Sequence, residues 1–263
     1  MLPSMPSWDA DQYLRFEAER TRPCAELAAR VAITPKRIVD LGCGPGNSTA
    51  VLAQRWPDAA LAGMDSSPAM IEAARKTDLQ VQWSIGEIEA WSMDPGMAAD
   101  LVFSNAALHW VADHPRLLPA LLKRVSAGGA LAFQMPFNAD SPAHTGARDL
   151  AASPDWRAHF PKPVRTWSVL EPAAYFDILA PHAARVDIWT TEYWQVMPDL
   201  QAVIEWYKGT GLRPYLDALP ETLRPRFLAD YRAAIAPAFP VRPSGKVLFP
   251  FKRLFSVAYK EVA

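Results

Sequence analysis

The chain has 263 residues, half of them hydrophobic and 21% charged, with a net charge of −1. That is enough apolar material for one large α/β domain, and a near-neutral chain argues against general binding of nucleic acid. Two cysteines, Cys24 and Cys43, make neither a disulfide framework nor a metal-ligand spacing, and with no secretion signal and no apolar run of membrane-span length a soluble, cytoplasmic protein without a metal is expected.

In chain order, WDADQYLRFEAERT after Ser7 has a helical pattern with acids in its first turn. Pro23 is placed to begin a second helix running to about Val31, so residues 1–32 form a helical cover. RIVDL (37–41) is a short buried strand, followed by a Gly-rich turn and the helical NSTAVLAQRW. ALAGMD (60–65) is a second strand, and Pro68 opens a helix to about Lys76. LQVQWSI (79–85) and ADLVFSN (99–105) are further strands, LLPALLKRV (117–125) is a helix, and ALAFQM (130–135) is a fifth strand after Gly128-Gly129. Strands alternating with helices or crossings predict a doubly wound, Rossmann-like parallel sheet.

Beyond Pro136 the pattern loosens into a proline-rich stretch with aromatic clusters, expected to be a mostly helical cap inserted in the C-terminal half. RVDIWTTEYWQV (185–196) alternates like a strand, LQAVIEWYKGT and LRPRFLADYRAAIA read as helices, and VLFPFKRLFSVAYK (247–260) is strand-like. The expectation is one domain over 1–263. Its cofactor-binding core covers about 33–135, and cap or substrate elements cover about 138–182 and 198–245.

The strongest motif is Asp40-Leu41-Gly42-Cys43-Gly44-Pro45-Gly46-Asn47, between a strand and a helix. Glycines allow left-handed φ and close approach of a ligand to the backbone, and the helix start offers free N–H groups. Either a dinucleotide pyrophosphate or the aminoacyl end of S-adenosylmethionine would suit such a turn. A dinucleotide fingerprint wants its third glycine at position 47, which is asparagine here. Asp40, just before the first glycine, would repel a pyrophosphate and suits an α-ammonium group. Asp65, at the end of the second strand, is placed to accept from both ribose hydroxyls. S-adenosylmethionine is therefore the expected cofactor, with S-adenosylhomocysteine as product. Ser66 and Met70 follow, Met70 either packing on adenine or serving as a core methionine. Glu87 and Ile88 lie past the third strand, Glu87 either accepting from the adenine amino group or lying solvated. Asn105 ends the fourth strand at the mouth of the crevice.

DLGCGPGNST, LAQRWPDAALAGMDSSPAMI and NAALHW resemble the class I S-adenosylmethionine-dependent methyltransferases. More narrowly, YLRFEAERTRP, FQMP, VDIWTTEYWQVMP, EWYKGTGLRPYLDAL and FKRLFSVA are similar to the trans-aconitate 2-methyltransferase family, so the resemblance runs through essentially the whole chain. It implies methyl transfer to a carboxylate of a small polycarboxylate, trans-aconitate, giving a monomethyl ester. A carboxylic acid is already ionised at pH 7, so no general base is required, and rate should come from alignment and exclusion of water. Arginines presenting bidentate donors would recognise a trianion. Arg20, Arg22, Arg213 and Arg253 lie in the family-like motifs, while Tyr13, Trp110, Tyr193 and Tyr207 could wall a pocket. Each of these could equally be a surface arginine or a core aromatic. His109 and His114 are expected to be structural or solvated. Two other functions stay open: methylation of another small molecule, such as a phenol or quinone precursor, and a non-catalytic S-adenosylmethionine-binding module.

Overall fold

The computed structural model describes residues 17–162, 164 and 167–262. Among these residues, seven strands form one sheet in the order β3-β2-β1-β4-β5-β7-β6. They are β1 (Arg37–Leu41), β2 (Ala60–Asp65), β3 (Val81–Ile85), β4 (Ala99–Asn105), β5 (Val125–Pro136), β6 (Arg185–Met197) and β7 (Val247–Tyr259). The first five pair in parallel, and β7 runs antiparallel to β5. Leu101, Val102 and Phe103 on β4 and Leu131, Ala132 and Phe133 on β5 are all buried. Strands covered on both faces carry such unbroken apolar runs, as parallel sheets require.

Among the described residues there are ten α-helices: α1 (Glu17–Arg30), α2 (Asn47–Arg55), α3 (Pro68–Ala74), α4 (Ile88–Met93), α5 (His114–Lys123), α6 (Pro142–Ala152), α7 (Pro172–Leu179), α8 (Leu200–Lys208), α9 (Arg213–Ala218) and α10 (Arg224–Ile235). Pro23 does not start a second helix, because it lies inside α1. A proline there forfeits a backbone hydrogen bond, but the turns beyond it bury Cys24, Leu27 and Ala28, which favours continuing the helix. The short α4 has no side-chain cap to announce it and was not expected.

The fifth strand begins at Val125, earlier than its apolar run suggests, and α5 stops at Lys123. The pairing Ala99↔Val125 is followed by Leu101↔Ala130, so β5 bulges opposite Asp100. Gly128, at φ 73°, makes the turn there. A Cβ on Gly129 would lie 2.5 Å from the Asp100 carbonyl oxygen and 2.8 Å from Val125 Cγ1.

The chain forms two compact units. Among the described residues, one contains 17–136, 168–191 and 253–262, and holds the five parallel strands. Its outer layer includes α7, where Tyr175 packs on Phe133 with ring centroids 5.8 Å apart. The other unit contains Phe137–Trp167 and Glu192–Lys252. Its core is aromatic: Trp156 meets Phe227 edge-on at 5.0 Å, Trp206 meets Phe249 at 5.7 Å, and the Tyr231 hydroxyl donates to the Ala143 carbonyl at 2.9 Å. The expected cap segment 138–182 is thus divided, with 168–182 belonging to the strand-bearing unit. No described helix is long and apolar enough to cross a membrane.

Because backbone atoms hem in Gly129, Gly129→Ala is expected to destabilise the fold by about 1–3 kcal/mol. Urea unfolding against the wild type measures this.

Candidate functional site

The turn between β1 and α2 hangs on the end of β2. Gly42 N and Cys43 N both donate to the Met64 carbonyl, at 2.7 and 3.0 Å. Gly44 N donates to Asp65 Oδ2 at 2.9 Å, and Ser67 N to Asp65 Oδ1 at 2.9 Å. Gly42, Gly44 and Gly46 have φ of 72°, 56° and 100°, a region that disfavours residues with a Cβ. At Gly42 the constraint is doubled, since a side chain would also run into the Ala107 methyl. Burial raises the pKa of Asp65, while its two backbone hydrogen bonds work in the opposite direction.

Asp40 lies one layer deeper and has no exposed surface. Its Oδ2 accepts from Ser48 Oγ at 2.6 Å and Thr49 Oγ1 at 2.7 Å, both in the first turn of α2. Oδ1 is buried and has no hydrogen-bond partner among the described residues. Burial pushes the carboxyl up to about 6, against the two hydroxyl hydrogen bonds that stabilise its charge. Expected as an acid beside the loop, Asp40 is instead enclosed beneath it.

A small cavity opens between the loop, α1 and the end of β4, lined by Thr21, Cys24, Gly42, Cys43, Asn47, Ser48 and Asn105. Ser66 is half-buried after β2, and Met70 is buried on α3. Ile88 is buried at the start of α4, while Glu87 before it is exposed. Burial together with the nearby charges of Glu89 and Asp65 raises the Glu87 pKa.

The segment after β4 is held from behind. Ala106 sits at φ 55°, uncommon for a non-glycine residue, and its N–H donates to the Gln134 carbonyl at 3.0 Å. His114 is buried between the Tyr175 hydroxyl, 2.7 Å from Nδ1, and the Leu108 carbonyl, 2.9 Å from Nε2. A carbonyl only accepts, so Nε2 carries the proton and Nδ1 accepts from Tyr175. The Leu170 N–H completes this chain by donating to the Tyr175 hydroxyl at 3.0 Å. Burial lowers the His114 pKa, and the ring acts as a brace. His109 is also buried, tilted against Trp110 at 4.9 Å.

The expected substrate residues fall in different settings. Tyr13 and the Arg20 side chain lie outside the described residues. Arg22 is exposed and pairs with Glu26 at 2.9 Å. Trp110 is half-buried. Arg253 is buried on β7 and its Nη1 donates to Gln134 Oε1 at 2.9 Å. In the aromatic unit, Tyr193 and Tyr207 are buried. The Tyr207 hydroxyl accepts from Asn138 Nδ2 at 3.2 Å and lies 3.3 Å from Ser141 Oγ. Arg213 is largely buried and faces Asp217 at 3.6 Å.

Four contributors were not anticipated from the sequence: Ser48, Thr49, Trp83 and Gln134. Trp83 on β3 packs against Gly63 and under Gly46, backing the turn. Gln134 had a legible signal, being a lone amide inside the apolar run ALAFQM.

Residues 38–129 match the family model described as a methyltransferase domain. A trans-aconitate 2-methyltransferase of Azoarcus sp. (strain BH72) is 47% identical over 262 residues, covering 97% of this chain and 100% of the relative. The chain belongs to the trans-aconitate 2-methyltransferase family. Another member of the family, from Methylobacterium radiotolerans, is 47% identical over 97% of this chain and 99% of its own length. A third, from Yersinia pestis, is 45% identical over 98% of this chain and 100% of its own. Among solved structures, the YcgJ protein of Bacillus subtilis shares the fold with a TM-score of 0.56 at 14% identity, covering 94% of this chain and 100% of that one. A Haemonchus contortus N-methyltransferase, solved with phosphomonomethylethanolamine and S-adenosylhomocysteine, has a TM-score of 0.54 at 12% identity, over 92% of this chain and 53% of that one. The chain thus shares its fold with both structures.

The buried Asp40 has a signed pH signature. Its folded pKa lies above the ordinary carboxylate value, so the native state holds the proton more tightly and its stabilising effect fades as pH rises through about 6. Relative to wild type, Asp40→Asn is expected to gain on the order of 3 kcal/mol between pH 4 and pH 7. Parallel pH profiles of urea unfolding would contradict this.

Proposed function

We propose that this chain transfers a methyl group from S-adenosylmethionine to a carboxylate of trans-aconitate. The observation that carries the reading is the reach of the family similarity, 97% of this chain and 100% of a relative, well beyond the generic domain at 38–129. When bound, S-adenosylmethionine supplies an electrophilic methyl group, whose transfer to a carboxylate gives the monomethyl ester and S-adenosylhomocysteine.

The residues fit that cofactor. Gly42, Gly44 and Gly46 present no side chain at three positions of the turn, which leaves room for a closely approaching aminoacyl group. Asp65 has lone pairs beyond the two it gives to Gly44 and Ser67, and these are proposed for the ribose hydroxyls. Asp40, with Oδ1 unpartnered, supplies negative potential beneath the turn and favours a cation above it. Asn47, Ser66, Met70, Glu87, Ile88 and Asn105 complete the proposed cofactor set, with the exposed Glu87 assigned to the adenine amino group.

For the acceptor, an ionised carboxylate needs no base, and the chain's task is to hold a polyanion and exclude water. Arg253 is the proposed cation of the strand-bearing unit, and Trp110 and Arg22 are proposed beside the acceptor. Tyr193, Tyr207 and Arg213 remain proposed contributors, as do Tyr13 and Arg20. A small molecule is the substrate, and the reaction is proposed to take place in the cytoplasm.

Incubating the protein with S-adenosylmethionine and trans-aconitate should yield a product heavier by one methyl group in the mass spectrum. No methylated product from trans-aconitate would overturn the activity. Arg213→Ala is expected to weaken trans-aconitate binding by ~2 kcal/mol, read as a rise in KM of roughly thirtyfold. An unchanged KM removes Arg213 from the acceptor site.

A further inference from the structure

Three polar side chains cross the carboxyl-end region of the sheet in an unbroken line. Arg253 on β7 is 4% exposed and Gln134 on β5 is fully buried. Asn105, the last residue of β4, pairs in register with Gln134. Arg253 Nη1 donates to Gln134 Oε1 at 2.9 Å, and Gln134 Nε2 donates to Asn105 Oδ1.

The direction of this line follows from chemistry. Amide oxygen and nitrogen are hard to tell apart by shape, so their assignment rests on the hydrogen-bond network. A guanidinium has five N–H donors and no acceptor. The Gln134 atom facing Arg253 must therefore be its oxygen, which turns its NH₂ toward Asn105. Asn105 must then answer with its own oxygen. Its Nδ2 is left over, with no hydrogen bond to a described residue, and Asn105 also lines the cavity with Gly42, Asn47 and Thr21. A donor in that place suits an anion.

We infer that Gln134 is a positioning residue that transmits the donor-only character of Arg253 to Asn105, so that Asn105 offers N–H groups rather than its carbonyl to a carboxylate in the cavity. This rests on the proposed function for the identity of the ligand. The aminoacyl carboxylate of the cofactor and a carboxylate of the acceptor have the same chemistry here.

Gln134→Glu keeps the size and the Arg253 partner but abolishes the donor to Asn105, so Asn105 should turn over and present its carbonyl. Asn105→Asp keeps the acceptor for Gln134 and places an oxygen where the N–H₂ had been. Both variants are expected to weaken one carboxylate ligand at least tenfold. If the ligand is the cofactor's carboxylate, calorimetry shows weaker binding of S-adenosylhomocysteine, unchanged binding of its decarboxylated analogue, and an unchanged KM for trans-aconitate. If it is the acceptor's, KM for trans-aconitate rises and S-adenosylhomocysteine binds as before. Folded variants with both constants within twofold of wild type would sink the inference. So would unfolding of both variants, which would make the line a structural strut. Should the wild type leave trans-aconitate unmethylated, the proposed activity fails on its own, and an unchanged dissociation constant for S-adenosylhomocysteine in both variants then overturns this inference as well.

Discussion

The cofactor turn depends on one carboxylate. Asp65, at the end of β2, accepts from Gly44 N at 2.9 Å and from Ser67 N at 2.9 Å, so it ties the β1–α2 turn and the start of α3 to the same strand end. An amide could satisfy only one of those donors, since its nitrogen accepts nothing. The residue proposed to bind ribose is therefore also the one that shapes the turn beside it. That dual load holds the turn in place where three of its positions carry no side chain. Its backbone is fixed from below by Met64 and from the side by Asp65, and the glycines supply only the backbone angles.

Two carboxylates 25 positions apart in sequence divide the electrostatic work. Asp65 is partly accessible and bonded to backbone N–H groups. Asp40 is sealed, bonded to two hydroxyls and left with an open lone-pair side. Burying an uncompensated charge is expensive, and Ser48 and Thr49 meet only part of that cost, which is why the Asp40 carboxyl is pushed up to about 6. A cation arriving above the turn would stabilise the ionised form of Asp40, so cofactor binding and the charge of this group are thermodynamically linked.

The strand-bearing half was legible because its signals are local. β1, β2 and β4 coincide with the apolar runs RIVDL, ALAGMD and ADLVFSN, each closed by a turn or a polar end. What escaped was whatever depends on a distant partner. The early start of β5 follows from the bulge opposite Asp100, which no periodicity reveals. The assignment of α7 to the strand-bearing unit rests on Tyr175 meeting His114 at 2.7 Å, 61 positions away in sequence. In the site, Asp40 and Asp65 announced themselves as acids ending apolar strands. Ser48 and Thr49 did not, since small hydroxyl residues in the first turn of a helix are commonplace.

The histidines show why the chemistry near β4 is one of placement. His114 spends both ring nitrogens, one on Tyr175 and one on the Leu108 carbonyl. To act as a base it would have to release the very segment that carries Asn105 and the strained Ala106. Burial lowers its pKa and keeps it neutral, which preserves the single tautomer the brace requires. A neutral, doubly bonded imidazole is useful to a site whose reactive oxygen is already ionised in water, because that site needs a rigid wall and has no proton to remove. The same logic runs through the Arg253–Gln134–Asn105 line, where a permanently charged group at one end orients neutral amides. In both cases a group that can bond in only one sense removes the ambiguity from the next, and the loop after β4 inherits a defined polarity from the interior of the sheet.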